Sequence, residues 1–190
     1  MNRESAPQIR GLIERLDAAV GLDQPDRITG RIKIDLEQLT RGSGVTVPEA
    51  FKRAGTDRYA RRLLHRAPNG GYTVVVMAWG PGQRTQLHDH GGLWCVECVL
   101  QGEIDVTQYD LIEREADRFR FERQPSVRAT MGDAGCLIPP FDYHVLQNAL
   151  PDRTSISLHV YAGEMSHCNL FEPEGPRWWT RTSKSLHYDP

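Results

Sequence analysis

Cysteine is scarce in this chain, with four residues in 190: Cys95, Cys98, Cys136 and Cys168. That is too few for a disulfide-stapled scaffold at this length. Cys95 and Cys98 have CxxC spacing, but they sit in a strand-like run, where positions i and i+3 face opposite ways. A zinc or redox CxxC is therefore not expected. No apolar run reaches the roughly 18 residues of a membrane-spanning helix, so no membrane association is expected. Residues 1–5 lack the apolar core of a leader peptide, and the cytoplasm is the expected compartment. Positive charge is not in excess either. The 23 lysines and arginines stand against 25 acidic residues, a net charge of −2. Nothing in that balance invites nucleic acid or an anionic membrane, and no DNA-binding helix-turn-helix is evident. Internal repeats, low-complexity tracts and interdomain linkers are missing too, so residues 1–190 read as one domain with an ordinary core. No assembly motif stands out, and a monomer is the default expectation.

What is present divides into a helical and a β part. Ile9, Leu12, Ile13, Leu16, Ala19 and Val20 recur at helical spacing over residues 6–20, and Gly21 is a plausible stop. A second helical stretch includes Ile34, Leu36 and Leu39 and ends near Gly42. Pro48 suits the first turn of a short third helix with Phe51. Residues 1–58 thus read as a helical cap. From residue 59 the texture changes. Residues 72–79 are β-branched and apolar, bounded by Asn69-Gly70-Gly71 and Gly80-Pro81-Gly82. Further strands are expected at 94–100, 103–110, 117–123, 126–130, 135–138, 144–148 and 154–161. Strands at this spacing predict a mainly β, antiparallel sandwich or barrel over residues 59–163. Residues 164–190, rich in Pro, Gly, Trp and Arg beyond Phe171, are expected to wrap the outside.

The chemistry concentrates in His88-Asp89-His90. Two histidines two apart on a strand point the same way and make a natural pair of metal ligands. A third imidazole from another strand, His144, would complete one face of a metal and leave the opposite face open. The common facial set of Fe(II) oxygenases is two histidines and a carboxylate. Three neutral histidines leave the metal its full charge, which favours an anionic ligand such as a thiolate. The spacing Gly82-x5-His88-x-His90-x4-Cys95-x6-Gly102 resembles the first cupin motif, with cysteine in place of the usual glutamate. His144 and Asn148, preceded by Gly132, Gly135 and Pro139-Pro140, resemble the second. Phe141 stands where that motif usually has glycine.

Longer stretches carry a narrower resemblance. His88-Asp-His90-Gly-Gly-Leu-Trp-Cys95, Ser157-Leu-His159-Val-Tyr161 and Tyr59-Ala-Arg61 together resemble the cysteine dioxygenase family over residues 59–163. The resemblance implies a cupin double-stranded β-helix, with Fe(II) held by His88, His90 and His144. It also implies O2-dependent oxidation of a small thiol to its sulfinic acid. Arg61 would bind the substrate carboxylate, with Arg62 the alternative one register away. Tyr59 would be a core aromatic or line the pocket. Ser157, His159 and Tyr161 would form a hydrogen-bonded chain ending at the Tyr161 hydroxyl, and Cys95 with Tyr161 would supply a thioether crosslink. The choice of iron over zinc, nickel or manganese comes from the resemblance alone. Ala162-Gly163-Glu164-Met165 departs from the Ser-Pro-Pro common in cysteine dioxygenases. The substrate therefore stays open among cysteine, 3-mercaptopropionate and a dicarboxylic thiol such as mercaptosuccinate, the last if Arg62, Arg66 or Arg84 reaches the pocket. A cupin enzyme with a non-thiol substrate, a sensor and a storage protein are the competing classes.

Overall fold

The computed structural model describes residues 5–42 and 45–190. Residues 1–4, read above for a leader and as the start of the cap, lie outside the described residues. Two helices, α1 (Ser5–Val20) and α2 (Pro25–Arg41), open the chain, and a 3-10 turn follows at Glu49–Lys52. Pro25 occupies the first turn of α2, where its missing N–H costs nothing. This second helix begins well before the Ile34–Leu39 stretch that its apolar spacing marks.

The remaining described chain is β. In order, the strands are β1 (Ala60–Arg66), β2 (Thr73–Trp79), β3 (Leu87–His88), β4 (Cys95–Gln101), β5 (Glu103–Glu115) and β6 (Arg118–Arg123). They continue with β7 (Val127–Thr130), β8 (Ala134–Leu137), β9 (His144–Asn148), β10 (Ser155–Tyr161), β11 (His167–Glu174) and β12 (Trp178–Ser185). One sheet runs β1-β2-β10-β4-β8. The other runs β6-β12-β11-β3-β9-β5-β7, and pairing of β6 with the second half of β5 curls it on itself.

Side-chain alternation explains why the first sheet is buried on both faces. Val74, Val76, Ala78, Val96, Cys98, Leu100, Ile156, Leu158 and Val160 pack outward against Leu12 and Leu16 of α1 and Ile32 and Leu36 of α2. Each such fully buried aliphatic side chain stabilises by about 1.5–3 kcal/mol. Val75, Met77, Trp79, Cys95, Val99 and Tyr161 point the other way and meet Ile104, Leu146 and Cys168 of the second sheet, which makes the barrel interior. Cys95 and Cys98 thus lie in different cores, and both are free thiols. Gly102 links β4 to β5 at φ +78°, where an added Cβ would collide with Ser155.

Two parts of the chain differ from the expectation. Residues 164–190 do not simply wrap the outside, because β11 and β12 form a hairpin inside the seven-stranded sheet. Leu170 and Phe171 of β11 pair with His88 and Leu87, so this hairpin holds the short β3 in place. Strand β1 was also not among the expected strands. Arg61, Arg62, His65 and Arg66 make the run polar, which suits an edge strand.

Candidate metal centre and substrate pocket

Strand pairing brings the three histidines together. His88 on β3 lies opposite His144 on β9, and His90, expected on the same strand, lies two residues beyond its end. Ring centroids are 4.4 Å apart for His88 and His144, 5.0 Å for His90 and His144, and 5.5 Å for His88 and His90. One ligand atom of each lies within 4.8 Å of the others. His90 and His144 are buried, and His88 opens to a cavity.

Each ring has its Nδ1 turned to an acceptor. His88 Nδ1 donates to the Gln86 carbonyl at 3.0 Å, and His144 Nδ1 donates to the Asp142 carbonyl at 2.8 Å. His90 Nδ1 faces the Asp142 carboxylate at 3.5 Å, and the His90 backbone N–H donates to the same carboxylate at 2.9 Å. A carbonyl only accepts, so Nδ1 of His88 and of His144 carries a proton, while neither ring nitrogen of His90 makes a hydrogen bond. Nε2 of His90 and of His144 is buried without a hydrogen-bond partner. Buried polar atoms are normally satisfied, and rings oriented by an outer acceptor are the usual preparation for metal binding. The residues therefore fit a metal ion. Burial, then the neighbouring rings, keep His88 well below the usual imidazole range, and burial lowers His90, so both offer neutral ligands.

A cavity of about 270 Å³ opens beside His88, lined by Tyr59, Arg61, Arg84, Cys168 and Lys184 among others. Arg61 is 3% exposed. Its guanidinium donates to the carbonyls of Met165 at 3.1 Å and His187 at 3.4 Å and lies over the Tyr188 ring. Arg62 points away from the cavity and donates to the Pro190 and Arg53 carbonyls at 2.8 and 2.6 Å. Arg66 is paired with Glu164 at 2.7 Å. Of the arginines considered for a second carboxylate, only Arg84 lines the cavity. Tyr59 stacks on Trp79 with ring centroids 4.4 Å apart and also lines the cavity, so it is both packing and wall.

Cys95 and Tyr161 are direct partners across β4 and β10. Burial pushes the Cys95 thiol and the Tyr161 hydroxyl well above their ordinary ranges, so both keep their protons. The hydrogen-bonded chain through Ser157 and His159 differs from the expectation. Ser157 Oγ meets His159 Nε2 at 2.7 Å, and His159 Nδ1 meets Glu97 Oε1 at 3.1 Å. Both ring nitrogens are thus taken, and the chain ends at Glu97 rather than at the Tyr161 hydroxyl. Tyr161 stacks on His159 instead, with centroids 6.0 Å apart.

Glu97 and Asp142 were missed in the sequence. Glu97 had a readable signal, since it follows Cys95 by two residues on the same strand and must share its face. Asp142 had none, because it reaches His90 from a loop across 52 positions.

The sequence model of the family described as Cysteine dioxygenase type I matches residues 39–174. Cysteine dioxygenase type 1 of Rattus norvegicus is 24% identical over 115 residues, 60% of this chain and 56% of that protein. The match thus spans little more than half the length of that relative. The Homo sapiens protein of the same description is 23% identical over 165 residues, 78% of this chain and 80% of that one. A solved double-stranded β-helix protein from Klebsiella pneumoniae superposes with a TM-score of 0.51 at 21% identity, covering 66% of this chain and 94% of that one. The fold is the cupin double-stranded β-helix with two helices packed on one sheet.

Proposed function

The chain belongs to the cysteine dioxygenase type I family, and on that premise we propose that it oxidises a small carboxylated thiol to its sulfinic acid. The reaction balances without another reductant, since RSH and O2 give RSO2H. The reading rests on one observation above all: unpartnered imidazole nitrogens converge beside a cavity that holds a buried arginine. We assign Fe(II) to His88, His90 and His144. When bound, it supplies a Lewis acid that favours the thiolate and a redox centre for O2.

The chain's own residues do the positioning. Arg61 presents a planar fork to the substrate carboxylate, held in place by the Met165 and His187 carbonyls. Fixing the carboxylate fixes where sulfur sits relative to the histidines. Tyr59 walls the cavity. Tyr161 keeps its proton and donates a hydrogen bond toward the reacting sulfur. His159 stacks on its ring, and Ser157 and Glu97 hold His159 in place. A thioether between Cys95 and Tyr161, formed with loss of two hydrogens to O2, belongs to the same proposal.

One observation favours a dicarboxylic thiol such as mercaptosuccinate as a second reading. Arg84 and Lys184 line the cavity together with Arg61, and neither has an acidic partner among the described residues. The test is O2 uptake by the Fe(II)-loaded protein with cysteine, 3-mercaptopropionate, mercaptosuccinate and cysteamine, with sulfinate quantified. Uptake matched by sulfinate from a carboxylated thiol supports the proposal. Mercaptosuccinate turning over best supports the second reading. Cysteamine turning over best removes the role of Arg61, and silence with iron bound overturns the thiol chemistry. Intact mass after turnover, two hydrogens below the sequence mass, marks the thioether.

A further inference from the structure

Beside the cavity that holds Arg61, the barrel has a second one. The two sheets end on β8 and β7, short edge strands that are joined through residues 131–133 but not paired with each other. Between them opens a cavity of about 270 Å³, with Ile104, Val106, Leu137 and Leu146 on its walls. Gly135 keeps it open. Cys136 faces α2, where its thiol meets the Thr29 carbonyl at 3.4 Å, so Gly135 and Leu137 on either side of it face the barrel interior. Gly135 pairs with Glu97 of β4, its φ is not left-handed, and a Cβ there would meet nothing within 4 Å. The backbone does not require glycine at this position. What the missing side chain provides is space.

The cavity leads toward the metal centre. Its mouth is at Val127, which is 66% exposed, and its buried end is formed by Glu97, Ser157 and His159. Leu137 is the direct strand partner of Cys95, and Glu97 Oε1 stands 3.3 Å from His144 Nε2. Ile104, Leu137 and Leu146 belong to the same apolar cluster as Cys95 and Tyr161. No described residue lines both this cavity and the one beside His88.

The wall decides what it can hold. Arg128 is paired with Asp105 at 2.8 Å and Glu103 at 3.1 Å, and Asp133 with Arg41 at 2.8 Å. Ser157 and Glu97 hold the His159 ring between them at 2.7 and 3.1 Å. A polar ligand would have to break into one of these pairs, whereas a small apolar molecule needs only the space and leaves water readily. The oxidation of a carboxylated thiol has one apolar reactant, O2. The thiol suits the other cavity, where Arg61 meets its carboxylate. Once seated there, it blocks that approach to the histidines, and O2 has to arrive from elsewhere.

We propose that the seam between β7 and β8 is the entry route for O2, separate from the route of the thiol. The inference rests on the thiol dioxygenase reading. Ordinary rotamer motion of the side chains at the buried end is enough to pass a diatomic molecule.

The test is a structure of the full chain under xenon, an apolar probe of such cavities, together with steady-state kinetics in both O2 and thiol. Wild type is compared with Gly135→Phe, which plugs the mouth from β8, and with Ala129→Phe, which plugs it from β7. Xenon is expected in the seam of wild type and not in that of the plugged variants. In both variants kcat/KM for O2 should fall by about threefold or more, with KM for the thiol and metal content unchanged. No xenon in the wild-type seam overturns this inference alone, and that reading needs no variant to fold. So does an unchanged kcat/KM for O2 in a variant from which xenon is excluded. A rise in thiol KM instead would assign the seam to the thiol. Absence of thiol turnover by wild type with metal bound overturns the dioxygenase reading, and the role for O2 with it.

Discussion

Arg61 and Arg62 show how much one residue of register decides. They are chemically identical neighbours on an edge strand, yet one is 3% exposed inside the cavity and the other braces the outside of the molecule. Alternation makes only one of them able to face the cavity. The guanidinium of Arg61 has no carboxylate partner among the described residues, and its orientation is set by two carbonyls and the Tyr188 ring. Lysine at this position keeps the charge but loses the fork. Arg61→Lys is expected to raise KM for the carboxylated thiol by about tenfold or more, one lost charge-assisted hydrogen bond being worth about 1.5–3 kcal/mol. Metal content should stay unchanged. Steady-state kinetics with metal analysis on the same samples checks both halves, and loss of metal would show that Arg61 supports the histidines instead.

At the scale of elements, β2, β4, β9 and β10 were legible, whereas β3, the two-residue strand that carries His88, was not among the expected strands. The reading of β9 matches residues 144–148, and those of β2, β4 and β10 fall within one residue of the observed bounds. These are runs whose hydrophobic pattern is set by two covered faces. Strand β5 runs on to Glu115 because its second half pairs with β6, a long-range partner that no local pattern announces. The β11–β12 hairpin was hidden for a related reason. Its outer residues are exposed, and Pro173, Gly175 and Pro176 look like loop. Strand β9 illustrates what a motif residue does physically. Asn148 closes the strand four residues after His144, with its amide donating to the Trp79, Gly80 and Arg153 carbonyls at 2.9, 3.0 and 2.9 Å. Its Oδ1 accepts from Leu150 N–H and the Ser155 hydroxyl. Asn148→Ala leaves these buried groups unpaired, at a cost of about 2–4 kcal/mol. The expected reading is a Tm lower by roughly 5–15 °C in thermal unfolding, given the size of the chain. An unchanged Tm would mean that water replaces the amide without loss.

Over the whole molecule, the barrel keeps its polar chemistry inside because helices cover one face of the first sheet and the second sheet covers the other. What completes the cavity is the segment after β12, and composition alone did not reveal it. Leu186 and Tyr188 pack on the barrel interior, and Tyr188 donates to Glu164 at 2.6 Å. Asp189 fastens the segment. Its carboxylate accepts from Arg58 at 2.6 and 3.1 Å and from the Arg61 backbone N–H at 2.8 Å, and its own N–H donates to the Arg61 carbonyl at 2.7 Å. Burial works to raise the Asp189 carboxyl, but the Arg61 N–H and Arg58 outweigh it and hold it below the ordinary carboxylate value. A carboxyl depressed on folding binds its proton less tightly in the native state than in the unfolded chain. Its contribution is therefore fully present above about pH 4, the unfolded value, and is lost as pH falls through the folded one. Asp142 and Glu164 are depressed as well and act in the same direction. Asp189→Asn keeps the shape and removes the charge. At pH 7 it is expected to be less stable than wild type by about 1–2 kcal/mol. The gap should close as pH falls below about 4 and through the lower folded value, where wild-type Asp189 takes up its proton. Thermal unfolding of both proteins across that range reads the effect directly. A gap that stays constant with pH would place the titrating group elsewhere and reduce Asp189 to a neutral hydrogen-bonding role.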